Sequence, residues 1–96
     1  MPKTKSTFTP ENKIFLDLLR KERKAAGVSQ VELAKRLKQK QDYISKSERG
    51  DRRLDIIETL FYCQGIGVDF AEFAAKYADA VRSASAAKRS VPRRKA

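Results

Sequence analysis

Between residues 41 and 49, QDYISKSER, the side chains divide by chemistry. Gln41, Asp42, Ser45, Lys46 and Arg49 can donate, accept or carry charge, while Tyr43, Ile44 and the small Ser47 offer a packing face. At helical spacing residues 41, 45, 48 and 49 share one side, with 42 and 46 beside it. A short helix here would pack through Tyr43, Ile44 and Ser47 and turn an amide, a hydroxyl, a carboxylate and two cations outward. A glutamine amide can bond two base-edge atoms at once, and Lys or Arg can serve phosphates or guanine. The combination suits the groove of a nucleic-acid duplex. A binder driven by charge alone needs only Lys and Arg, whereas Gln41, Asp42 and Ser45 together look like base readout. Asp42 close to phosphates is costly unless it accepts from a cytosine amine or orients a neighbouring Arg or Lys.

Other chemistries find few residues to work with. The chain has no histidine and one cysteine, Cys63. The commonest general acid–base residue and zinc ligand are therefore missing, and neither an internal disulfide nor a cysteine-based metal site can form. Cys63 sits in an apolar stretch and is expected to be a small buried hydrophobe. Glu32, Glu58 and Glu72 are accounted for as helix caps, leaving no paired acids for catalysis. No catalytic residue, metal or cofactor is expected. Nor is there an apolar run approaching the roughly 20 residues of a membrane span, and the polar, basic stretch Met1 to Pro10 does not read as a secretory signal. The 96 residues allow one small domain plus tails, and 41% hydrophobic residues suffice for a core. Enzyme, membrane protein and secreted scaffold are all disfavoured. A cytoplasmic domain with a polyanionic partner fits best.

The net charge of +10 is unevenly spread. Residues 1–10 carry +2; residues 11–53 carry 13 basic and 7 acidic side chains, +6; residues 54–80 carry −4; residues 81–96 carry six basic side chains and no acid. A basic first half, an acidic back and a basic tail describe a domain with one nucleic-acid face.

Five helices must position these groups. Thr9-Pro10 is a cap followed by a first-turn proline, and Ile14, Phe15, Leu18 and Leu19 give the first helix its apolar stripe, running to about Ala26 before Gly27. Ser29 and Glu32 form a capping box opening a second helix with Val31, Leu33, Ala34 and Leu37. Ala34 is small enough for a steep helix crossing. Asp55 with Glu58, and Asp69 with Glu72, repeat the box for two further helices, and Gly65 and Gly67 read as the turn between them. Residues 41–48 remain as the short helix in the middle. The expected architecture is all-α: a basic arm over residues 1–10, a domain over 11–81, and a disordered basic tail over 82–96, which is too poor in apolar residues to order itself.

The segments LRKERKAAGVSQVELAKRL (Leu19 to Leu37), DYISKSERGDRRLD (Asp42 to Asp55) and GIGVD (Gly65 to Asp69) resemble the lambda-repressor/Cro-like, or XRE-type, helix-turn-helix family. The resemblance covers about residues 14–75, with the motif itself over 30–49. It implies a five-helix domain whose third helix enters the major groove, as a dimer on a pseudo-palindromic site. Carried over by position, Gln30 would bond a phosphate through its amide side chain or backbone N–H. Gln41 and Asp42 would make base-edge contacts, with Ser45 and Lys46 one turn on reaching bases or the adjacent phosphate. Arg49, Arg52 and Arg53 would clamp the backbone, although Arg53 is also placed to pair with Asp55. Glu48 matches a glutamate that serves structure. The implied partner is duplex DNA, with no membrane and no small-molecule effector. The implied function is that of a sequence-specific, double-stranded-DNA-binding transcriptional regulator, bacterial or phage-encoded, that represses by occupying its operator; an antitoxin or restriction–modification controller of the same fold, and a non-sequence-specific DNA binder or protein-interaction adaptor, are the alternatives.

Three positions depart from the family pattern. Lys38 stands where glycine usually supplies a left-handed backbone, at a cost of about 1 kcal/mol. Gln39 replaces an apolar turn residue, and Ser47 a buried branched aliphatic. Lys38 and Lys40 make the turn unusually basic, either adding a phosphate contact or being solvated. Phe70, Phe73, Tyr77 and Val81 form a stripe that is core on one side, and its far end is a candidate dimer seam.

Overall fold

The computed structural model describes residues 9–88, with side chains to residue 85. Among these residues five α-helices follow one another through short turns: α1 Pro10–Ala25, α2 Gln30–Leu37, α3 Gln41–Arg49, α4 Ile56–Ile66 and α5 Phe70–Lys88. No strand occurs among the described residues, so the all-α expectation stands. No helix among them is long and apolar enough to cross a membrane.

The helix starts follow from their caps. Thr9 Oγ1 accepts from the Asn12 amide at 3.1 Å with Pro10 in the first turn. Asp55 and Glu58 form a complete capping box, each side chain accepting from the other's backbone amide at 2.7 and 2.9 Å. Asp69 Oδ2 accepts from the Glu72 amide at 3.1 Å. The box expected at Ser29 forms only in part. Ser29 Oγ takes the Glu32 amide at 3.0 Å, while the Glu32 carboxylate turns to Arg36 at 3.2 Å, because an i,i+4 cation offers it a charge-assisted bond.

Between α2 and α3, Lys38 adopts φ 58°, ψ 42°, the one left-handed non-glycine among the described residues. The Gln39 amide then closes onto the Ala34 carbonyl at 2.9 Å. Lysine thus takes the backbone state glycine would supply, and the turn survives the departure.

Gly65 needs a correction. It lies inside α4, and Gly67, at φ 81°, alone ends that helix. A Cβ at Gly65 would stand 2.6 Å from Leu33 Cδ1 and 3.2 Å from Leu37 Cδ2. Its missing side chain lets α2 lie close against α4.

Leu19, Leu33, Ile44, Tyr62 and Cys63 are sealed at the centre of the core. Burial raises the Cys63 thiol to about 11, with Glu22 and Asp69 adding to the shift, so the thiol stays protonated. α5 is seated on α1. Phe15 meets Phe73 and Tyr77 edge-on at 6.0 and 5.9 Å, Tyr77 Oη donates to the Glu11 carbonyl at 3.1 Å, and Lys76 pairs with Glu22 at 2.9 Å.

The expected domain end at residue 81 also needs correction, since α5 continues to Lys88. Alanine, arginine and lysine favour helix, and a packed helix extends without new nucleation. The rest of the expected tail, residues 89–96, and residues 1–8 of the expected arm lie outside the described residues.

Candidate nucleic-acid interface

α2 and α3 pack against each other with Leu33, Ala34 and Ile44 fully or nearly buried. Ser47 is fully buried too, and its hydroxyl donates to the Tyr43 carbonyl one turn back at 2.7 Å. That bond satisfies the polar atom where an aliphatic side chain was expected.

The opposite side of α3 carries the polar and charged side chains expected from sequence to read bases. Gln41, Asp42, Lys46 and Arg49 are exposed and Ser45 half-buried. An α-helix about 10–12 Å across fits a major groove about 12 Å wide. On this face Asp42 pairs with Lys46 at 3.3 Å. Arg49 donates to Ser45 Oγ at 2.8 Å and to Asp51 Oδ2 at 2.7 and 3.0 Å. Exposed ion pairs of this kind contribute about 0–1 kcal/mol, so phosphates or base edges can displace them. Asp42 thus has a neighbouring cation within reach, one of the two arrangements that offset its cost beside phosphates. Lys40 stands exposed immediately before α3, beside the positive end of the helix dipole.

Gln30 and Gln41, the first residues of α2 and α3, meet directly. Gln41 Nε2 donates to Gln30 Oε1 at 3.1 Å, and Gln30 Nε2 donates to Glu48 Oε1 at 3.0 Å. Glu48 is the buried anchor of this chain. Its carboxylate also accepts Arg23 Nε at 2.7 Å, Arg23 Nη2 at 3.0 Å and the Tyr62 hydroxyl. Its carbonyl takes Arg20 Nη1 at 2.7 Å. Arg23 Nη1 completes the cluster by donating to the Val28 carbonyl at 3.0 Å. One side chain of α3 is thus tied to α1, α2 and α4. Burial pushes the Glu48 carboxyl up, but hydrogen bonds from Arg23, Tyr62 and Gln30 outweigh it and hold the carboxyl below its ordinary range. Arg23 is raised chiefly by its bonds to Glu48, and Tyr62 chiefly by burial.

The remaining two expected clamps lie elsewhere. Arg52 pairs with Glu58 at 3.0 Å and lies over the Tyr43 ring at 4.6 Å, so it fastens α3 to α4. Arg53, with Asp55, borders a cavity of about 410 Å³ between α1, α4 and α5.

Arg20, Arg23 and Tyr62 were not expected at the site. A signal for Arg23 exists in the sequence: it follows Leu16 and Leu19 on the inward stripe of α1, where an arginine needs a buried acid.

Residues 19–73 match the helix-turn-helix family. The chain is 42% identical to an XRE-family like protein from Pseudomonas syringae pv. tomato str. DC3000, with a TM-score of 0.72, covering 79% of this chain and 93% of that one. The clp gene regulator ClgR from C. glutamicum shares the fold, with 24% identity, a TM-score of 0.65, and coverage of 74% and 92%. No curated protein matches.

Proposed function

The chain belongs to the XRE-type helix-turn-helix family, and on that premise we propose that it is a sequence-specific, double-stranded-DNA-binding transcriptional regulator that represses by occupying its operator. The reading places α3 in the major groove, with two copies of the chain on a pseudo-palindromic site in the bacterial cytoplasm. The observation that carries it is the outward row of Gln41, Asp42, Ser45, Lys46 and Arg49, with Gln41 held by Gln30 at 3.1 Å. Gln41 and Asp42 read base edges, Ser45 and Lys46 reach bases or the adjacent phosphate, and Gln30, Lys40 and Arg49 meet the backbone. Arg52 contributes mainly by fixing α3, and Arg53 reaches the backbone from beyond it. The basic ends of the chain add affinity without specificity.

Selection of bound sequences from a random duplex pool, at two salt concentrations, tests this reading. A palindromic consensus with half-sites about one helical turn apart is expected. Binding that merely fades as salt rises, with no sequence enriched, would identify a charge-driven binder instead.

A further inference from the structure

α3 carries one exposed carboxylate, Asp42, on the side that the proposed function turns to DNA. Glu48 is buried, and Asp51, just past the helix, is taken up by Arg49. A bare carboxylate in the groove of a polyanion is a liability. It faces phosphates, and it faces the acceptor atoms that line most base edges. Asp42 is not bare. Its Oδ2 stands 3.3 Å from Lys46 Nζ, one helical turn on, and the two side chains stay 66% and 50% exposed. As a unit the pair is close to neutral but strongly polarised: one member only accepts hydrogen bonds and the other only donates them. Pairing through Oδ2 leaves Asp42 a second oxygen, and Lys46 further N–H donors, for a base pair. Arg49, engaged with Ser45 and Asp51, does not compete for either.

Base pairs offer such a dyad different edges in the major groove. In a C·G pair donor and acceptors are segregated: cytosine shows the N4 amine, and guanine shows O6 and N7. In an A·T pair they are mixed, with the N7 acceptor beside the N6 amine on adenine, and O4 beside a methyl group on thymine. Against C·G the carboxylate meets only a donor, and the ammonium only acceptors. Against A·T the carboxylate is set beside N7 and the ammonium beside the methyl. Against the reversed G·C pair each charge faces its like. We propose that Asp42 and Lys46 act as one unit that selects a C·G base pair, Asp42 accepting from the cytosine N4 amine and Lys46 donating to O6 or N7 of the paired guanine. The inference rests on the proposed function and names the base pair that this part of α3 selects. An i,i+4 pair with the acid first supports the helix whatever it binds; discrimination between base pairs is a separate property, and it is the one to measure.

The test takes the duplex selected by the wild-type chain, with all its single-base-pair variants, and titrates it at two salt concentrations. Wild type, D42N and K46M are compared as full chains, with circular dichroism confirming that each is folded. The wild type should prefer C·G at one position of each half-site by about tenfold or more. D42N keeps the shape of the side chain but carries an amide, which bonds N6 and N7 of adenine together. Its preference at that position should therefore move from C·G to A·T. K46M should lose the C·G preference at the same position and leave the other positions as they were. A pair that merely braces α3 gives D42N the base preferences of the wild type. A lysine held out to a phosphate makes K46M weaken every duplex alike and lowers the salt slope by about 1. Either result, or a selected site with no C·G position that both variants alter, overturns the dyad and leaves sequence-specific binding standing. If no sequence is selected at all, the DNA-reading proposal fails and the dyad falls with it.

Discussion

Arg23 and Glu48 meet as a forked pair in the interior of the domain, with 2.7 and 3.0 Å contacts and side chains only 7% and 2% exposed. They lie 25 residues apart in sequence, on α1 and on α3. Removing one partner of such a pair strands the other charge. Glu48→Ala should therefore destabilise the fold by about 3–5 kcal/mol, read from urea unfolding midpoints at neutral pH. A loss below about 1 kcal/mol would mean that the pair does not anchor α3.

The same carboxyl sets a pH dependence. Its folded value lies below that of the unfolded chain, about 4.3. The stability it contributes is thus fully present above that pH and is lost as pH falls through the folded value. Glu48→Gln should be less stable than wild type at pH 7 and show a flatter loss as pH falls below the unfolded value of about 4.3. Parallel acid limbs in the two proteins would assign the effect to other carboxylates.

Base readout and backbone clamping predict different signatures on α3. Gln41→Ala should remove about 1–3 kcal/mol of discrimination at one or two base positions. Arg49→Ala should weaken all sequences alike and lower the salt slope by about 1. Competition titrations against single-base variants of the selected site separate the two. An unchanged consensus for Gln41→Ala would remove Gln41 from the reading residues.

At the helix turn, Lys38 holds a left-handed backbone at φ 58°. Lys38→Gly relieves that conformation and should stabilise the domain by up to about 1 kcal/mol, whereas the β-branched Lys38→Val should destabilise it. Denaturant midpoints decide; equal midpoints for all three would show no strain at this position.

Gly65 sets two effects against each other. Alanine gains about 1 kcal/mol of helix propensity but places its Cβ 2.6 Å from the sealed Leu33 side chain. Overpacking typically costs about 1–3 kcal/mol, so Gly65→Ala should be less stable than wild type. A raised melting temperature would show that Leu33 yields freely.

The sequence was most legible where structure is local. Caps at Thr9, Ser29, Asp55 and Asp69, and apolar residues at helical spacing, locate all five helices, and the outward row on α3 follows from the same periodicity. Legibility fell where two distant segments jointly decide an outcome. Gly65 looks like a turn residue until Leu33 and Leu37 are seen against it. Arg23 looks like one more cation until Glu48 arrives from another helix. Arg52 shares its sequence neighbourhood with the reading face, yet Glu58 and the Tyr43 ring hold it at the α3–α4 junction. In α5, composition after residue 81 suggested a chain without structure, but elongation of an existing helix needs far less apolar surface than founding one.

The link from Glu48 through Gln30 to Gln41 also bears on binding kinetics. A free glutamine samples many rotamers and must lose that freedom on reaching a base. Here part of that freedom is already given up when the domain folds, so in the proposed complex Gln41 would meet a base preset, with less entropy left to lose at contact. Loosening the chain through Gln30→Ala should then register first as faster dissociation, because a preset side chain lengthens the life of the complex more than it hastens encounter.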